Sequence, residues 1–139
     1  MLVKTIKFTD FNGVERIEDH YFNLSKTELL KLELTTYGGF TERVQKIVDS
    51  PDVPTLVGIF EDFILRSYGE KSADGKRLEK GENFELAKAF KETAAYDVFF
   101  MELISSSEAA AAFLNGIVPK EISEKLSSDP KYIEMMSRK

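Results

Sequence analysis

Leu24-Ser25-Lys26-Thr27-Glu28-Leu29 is a complete helix start. Ser25 and Glu28 have the spacing of a capping box, in which each side chain satisfies a backbone N–H that the first turn leaves free. Leu24 and Leu29 supply the matching hydrophobic staple. The pattern on the two sides of this stretch differs, and the difference sets the fold class.

Upstream, the period is that of a β-hairpin. Leu2, Ile6 and Phe8 share one face of a strand over Val3 to Thr9, and Val14 to Phe22 is again rich in β-branched and aromatic residues interleaved with charges. Asn12-Gly13 between them offers the positive φ angles of a tight turn. A two-stranded ribbon is marginal alone, so its apolar face must rest on the helices that follow.

Downstream, the period is helical. Leu29, Leu30, Leu32 and Leu34 belong to a first helix that should stop near Tyr37, where Gly38-Gly39 provides a left-handed exit. A second, about Thr41 to Asp49, carries Val44, Ile47 and Val48 and ends before Pro51. Asp52 with Pro54 opens a third through Leu56, Val57, Phe60, Phe63, Ile64 and Tyr68 up to Gly69. Residues 70–81 read as a polar loop, with a short hairpin as the alternative. Helical spacing returns from Asn83 through Phe84, Ala87 and Phe90, and after Thr93 through Tyr96, Phe99, Phe100, Leu103 and Ile104. Ser105 with Glu108 reads as a second capping box, opening a helix over Ala109 to Leu114 that ends at Asn115-Gly116 and is barred from continuing by Pro119.

The expected architecture is α+β, mainly α with an N-terminal hairpin and five to six helices. Residues 1–119 form a single globular domain, with the hairpin at 2–22 and the helices at about 25–118. Residues 120–139 form a short amphipathic helix around Ile122 and Leu126, or a mobile tail holding Asp129-Pro130, Tyr132, Ile133, Met135 and Met136.

Composition narrows the chemistry. The 139 residues include no Cys and one His, which excludes thiol nucleophiles, disulfides and Cys-ligated metals and leaves His20 as the sole imidazole. The net charge of −5 is spread along the chain with no basic block, a poor basis for nucleic-acid binding. The N-terminus does not read as a signal peptide, no apolar run approaches a membrane span, and a soluble intracellular protein is expected, with the sequon Asn23-Leu24-Ser25 inert.

No reactive constellation stands out. His20 among Glu18, Asp19 and Tyr21 reads as a solvated surface imidazole, and no G-x-S-x-G elbow accompanies it. Glu61 and Asp62, adjacent on a helix, point about 100° apart and read as a solvated face. Asp74-x-Lys76 lacks the alternating oxygen ligands of a calcium loop, and Gly69-Glu70-Lys71-Ser72 lacks the glycine spacing of a phosphate-binding loop. Lys71, Lys76, Arg77 and Lys80 interleave with Asp74 and Glu79 as in an ordinary soluble loop. The reading is a protein without catalytic, metal or cofactor residues, and so not an enzyme. What is unusual is aromatic: eleven Phe and five Tyr without a Trp. Most must be core, but the doublet Phe99-Phe100 sends adjacent rings to different sides of a helix, so one can face a partner.

The order of short strings along the chain resembles a known family. Phe11-Asn12-Gly13-Val14-Glu15-Arg16, then Tyr21-Phe22-Asn23-Leu24-Ser25, Gln45-Lys46-Ile47-Val48, Phe63 to Ser72, Asp74-Gly75-Lys76-Arg77, Thr93 to Leu103 and Ala110 to Pro119 are similar to the tail assembly chaperones of long-tailed phages and prophages of Gram-positive bacteria. The resemblance covers about Lys4 to Pro119. It implies a small, mainly helical, non-virion protein of the host bacterial cytoplasm that binds the tape measure protein and keeps it soluble while tail tube subunits polymerise around it. It further implies, for many members, a longer form made by ribosomal frameshifting whose extension contacts the tail tube protein. On this reading Phe99, Phe100, Phe113 and Leu114 are the client-binding candidates, on helices from Phe84 to Leu114 that can act within a homo-oligomer, with no nucleic acid, membrane or cofactor involved. A structural virion protein of the tail or head–tail joint is the alternative, and an enzyme using Glu61, Asp62 or His20 ranks below both.

Overall fold

The computed structural model describes residues 1–34, 39–49 and 52–127. Strands β1 (Leu2–Thr9) and β2 (Glu15–Phe22) pair antiparallel in one unbroken register from Leu2↔Phe22 to Thr9↔Glu15. Their connection is longer than a two-residue turn. Of Asn12 and Gly13 only Gly13 takes a positive φ, at 79°, and the loop is organised instead by Asp10, whose Oδ1 accepts from the backbone N–H of Asn12 and of Val14, each at 2.9 Å.

The capping box forms as expected: Glu28 N donates to Ser25 Oγ at 3.1 Å and Ser25 N donates to Glu28 Oε1 at 2.9 Å, opening α1 (Lys26–Glu33). Leu24, Leu29 and Leu32 are buried. The helix stops earlier than the glycine pair suggests, at Leu34, whose N–H tightens the last turn by bonding to the Lys31 and Leu32 carbonyls. Gly39 is not left-handed, and Tyr37, Gly38 and Pro51 lie outside the described residues. Helix α2 (Phe40–Asp49) buries Val44 and Ile47, and α3 (Val53–Ser67) starts at Asp52, whose carboxylate accepts from Thr55 N at 3.2 Å.

Tyr68 does not extend α3. Asn23 N donates to the Ser67 carbonyl at 2.8 Å, and this capture by the end of β2 draws the chain into β3 (Tyr68–Lys71), which pairs antiparallel with β2. Strand β4 (Leu78–Glu79) returns beside it, so the stretch read as a loop is a hairpin that completes a sheet of order β1-β2-β3-β4. After a 3₁₀ turn at Glu82–Phe84, helix α4 (Glu85–Lys91) begins later than its spacing suggests, because Asn83 and Phe84 both take left-handed backbone, with φ of 52° and 59°.

Helix α5 (Ala94–Ser105) is capped by Thr93, and α6 (Ser107–Ile117) by Ser106 rather than Ser105. Ser105 remains in α5, with its hydroxyl bonded back to the Met101 carbonyl at 2.5 Å, while Ser106 Oγ accepts from Ala109 N. Helix α6 passes through Asn115-Gly116 to Ile117. Gly116 serves close approach there, since a Cβ would come within 2.9 Å of the Leu2 side chain. Helix α7 (Lys120–Ser127) follows Pro119 and contains Ile122; Asp129, Pro130, Tyr132, Ile133, Met135 and Met136 lie outside the described residues. Among the described residues six α-helices therefore precede Pro119, within the five to six expected, and α7 falls in the stretch read as a short amphipathic helix or tail.

The core is aromatic and sits between the sheet and α3, α5 and α6. Phe22 at the end of β2 is fully buried, with the rings of Phe99 at 5.0 Å, Tyr68 at 5.6 Å, Phe113 at 5.8 Å and Phe90 at 6.0 Å. Such pairs add about 0.5 to 1.5 kcal/mol each to the burial of the rings themselves. The fold is α+β, as the change of period at Leu24 to Leu29 implies.

Candidate functional site

The groups read as candidate catalysts are occupied in structural roles. His20 is not a solvated imidazole. It lies on the core-facing side of β2, its ring 4.8 Å from that of Phe90 and 6.1 Å from that of Tyr68. Its Nε2 is buried without a hydrogen-bond partner among the described residues, and Glu18 Oε1 stands 3.9 Å away. Burial lowers its pKa below the usual 6.5, against the pull of Glu18, Asp19 and Glu70. Tyr68, beside it, is pushed up to about 12, chiefly by burial.

Glu61 and Asp62 are more than a solvated face. Asp62 accepts from Arg43 of α2 and from Arg66 Nε at 2.9 Å, and Glu61 pairs with Lys91 of α4 at 2.7 Å, so the two carboxylates tie α3 to its neighbours on either side. Gly69, Glu70 and Lys71 are strand residues, which removes the loop a phosphate site needs. Asp74 Oδ1 is taken up by Ser72 Oγ at 2.7 Å and Lys76 N at 3.0 Å. Among the described residues no group of three or more His, Asp or Glu side chains could hold a metal ion. No described helix is long and apolar enough to cross a membrane.

One of the four cations of the β3–β4 region, Lys80, is half-buried. Lys80 Nζ donates to the Asn23 carbonyl at 2.8 Å, the Arg66 carbonyl at 2.7 Å and Glu28 Oε2 at 2.5 Å, using all three of its protons. It joins the end of β2, the start of α1 and the end of α3 at one point. Burial lowers its pKa, and the bond and charge of Glu28 oppose that.

The four client-binding candidates divide by burial. Phe99, Phe113 and Leu114 are core residues, each with 2% or less of its surface exposed. Phe100 is half-buried, stacked on Tyr96 at 5.6 Å. The apolar groups that α5 shows to solvent are Val98 and Met101, 44% and 53% exposed, one step round the helix from the buried Phe99 and Leu103. Their spacing of three was a readable signal, hidden by the more conspicuous phenylalanine doublet. Between α5, α6 and β1 runs a groove of about 410 Å³, with Leu2, Phe99, Leu103, Ala109, Ala112 and Phe113 among its lining and the Lys4–Glu102 ion pair, 2.9 Å long, in its wall. Phe11 at the tip of the first hairpin is 84% exposed, and Ile17 of β2 is 68% exposed.

The exposed Val98 and Met101 and the groove beside β1 give the chain apolar surface fit for contact with another protein. Comparison with known families agrees: the model of a family described as phage tail assembly chaperone matches residues 1–138. The chain belongs to that family. Neither a curated protein nor a solved structure matches it. The family match extends beyond Pro119, where the resemblance read from the short strings ends, and so takes in α7 of this chaperone.

Proposed function

We propose that this chaperone binds the tape measure protein, keeps it soluble and helps recruit tail tube subunits during tail morphogenesis, without catalysing a reaction. It would act in the host cytoplasm and be absent from the mature virion, as a homo-oligomer where the client is long. A frameshifted longer form would supply contact with the tail tube protein. The observation that carries this reading is the family match over nearly the whole chain. The exposed Val98 and Met101 and the groove beside β1 support it, since holding an apolar client in solution requires apolar surface with a charged surround.

On this reading the client meets α5 through Phe100, Val98 and Met101, while Phe99, Phe113 and Leu114 act from beneath by fixing the helix that presents them. Coexpression of the tape measure protein with the wild-type chain and with Val98→Asp/Met101→Asp tests it. Wild type is expected to raise the soluble yield of the client and to copurify with it, and the double variant to fold normally but lose most of that yield. Equal client solubility with and without the wild-type chain would sink the proposal. Finding the chain in purified particles would favour a structural virion protein instead.

A further inference from the structure

Strand β1 ends the sheet, and its outer edge has the features of a strand-acceptor. Among the described residues, the sheet order leaves β1 with β2 as its single strand partner. Alternation decides which backbone groups that partner uses. Asp10 N donates to the Val14 carbonyl across the hairpin, which places even-numbered residues of β1 in the bonded pairs with β2. The bond from Asn23 N to the Ser67 carbonyl shows the odd-numbered residues of β2 turned the other way, towards β3. The N–H and C=O groups of Val3, Thr5 and Lys7 therefore point away from the sheet. Among the described residues, no backbone group outside the hairpin bonds to them. An edge this long, with no proline in it and no break in register, is a template for another strand.

Side chains specify what could fill it. Even positions of β1 face the core side, where the groove floored by Leu2, Phe99, Leu103 and Phe113 runs alongside, and Ala109 and Ala112 leave room above it. A strand added to β1 would lay every second side chain into that groove. Its remaining side chains would fall on the outer face, next to Thr5 and Lys7. Lys4 is committed to Glu102, whereas Lys7 is exposed and makes no ion pair among the described residues. A second copy of β1 cannot satisfy it, because Leu2–Thr9 contains no Asp or Glu, and self-pairing would bring Lys7 near apolar, hydroxyl or lysine side chains only.

We infer that the free edge of β1 and the groove beside it form a β-augmentation site for an extended segment of another protein, one alternating apolar side chains, directed into the groove, with acidic ones, directed at Lys7. Identifying that segment with part of the client rests on the chaperone reading above; the site itself does not.

The test uses the full chain and a synthetic peptide of alternating valine and glutamate, with its valine–lysine counterpart as control. Hydrogen exchange should show added protection at the amides of Val3, Thr5 and Lys7 when the acidic peptide is bound. Thr5→Pro removes a donor that points outward and keeps the backbone ladder to β2, losing besides it the exposed Thr5 Oγ1–Asp19 bond of 2.6 Å, which Thr5→Val removes alone; the proline chain should keep its circular dichroism spectrum while binding at least tenfold more weakly than the valine one. Lys7→Glu, on an exposed side chain, should weaken the acidic peptide several-fold and strengthen the basic one. Undiminished binding by folded Thr5→Pro, protection confined to other elements, or no binding at millimolar peptide would overturn the site. A wild-type dimer that Thr5→Pro dissolves would overturn the choice of an acidic partner over a second copy. If the peptide results hold while the tape measure protein is not captured, the site stands and the client reading fails.

Discussion

The two hairpins of the one sheet are secured by opposite means. The first joins two strands of eight residues whose core-facing side chains, Leu2, Ile6, Phe8 and Phe22, lie on the aromatic cluster between the sheet and the helices. The second has strands of four and two residues, pairs only Glu70↔Glu79 and Lys71↔Leu78, and projects mostly polar side chains. It is fixed from below by Lys80, one residue past its end. Both loops are shaped by an aspartate that accepts backbone N–H groups, Asp10 in one and Asp74 in the other, so turn chemistry is not what separates them. The difference is four apolar side chains on the core in one and, in the other, the single ring of Tyr68 with a partly buried cation at its foot.

The largest effect should come from the apolar anchor. Phe22→Ala removes a ring with no exposed surface that touches four other aromatic residues, and is expected to cost about 3 to 5 kcal/mol, measured as a shift of the urea midpoint. A loss below about 1 kcal/mol would mean that the first hairpin is held by its ladder and not by the core.

Lys80→Met should cost somewhat less, about 2 to 3 kcal/mol, because it strands two carbonyls and the Glu28 carboxylate, although Glu28 keeps some access to water. Adding Glu28→Gln should recover part of that loss, since glutamine keeps the cap on Ser25 while removing the unpaired charge. Strict additivity in this double-mutant cycle would show that the pair is not coupled, and the contrast between the hairpins would then lose its electrostatic half.

These two anchors also explain what could be read from the residue string. The first hairpin, the Ser25–Glu28 box and the start at Asp52 and Pro54 are local patterns, complete within a few residues, and the structure repeats them. The second hairpin depends on Asn23 catching Ser67 and on Lys80 reaching Glu28, contacts spanning 52 residues in the latter case, and no periodicity encodes them. The cap of α6 was misplaced by one residue because Ser105, Ser106 and Ser107 are locally equivalent. Ser105 stays in α5 with its hydroxyl on the Met101 carbonyl, and the Ala109 N–H goes to Ser106. At the candidate surface, the phenylalanine doublet announced that one ring would turn inward. That Phe99 would face Phe22 across the core, leaving Val98 and Met101 to the solvent, follows from how α5 lies on the sheet.

The smallest predicted effect concerns His20 on β2, the strand that pairs with β1 and with β3, its ring tilted against Phe90 and close to Tyr68. Its folded-state pKa lies below 6.5 because burial penalises the charged ring more than Glu18, Asp19 and Glu70 favour it. An unfolded chain would take up the proton near 6.5, whereas the folded one resists until the pH is lower. As pH falls through 6.5 the unfolded state therefore holds more protons, and stability declines until the folded-state value is passed; above 6.5 the contribution is fully present. His20→Phe keeps a ring in contact with Phe90 and cannot titrate, so its melting temperature should change less than that of wild type between pH 8 and pH 5.5, a range that lies above the ordinary titration of the carboxylates. Parallel curves for the two proteins would show that protons reach His20 as freely in the folded chain as in the unfolded one, and that the junction between the hairpins is open to water.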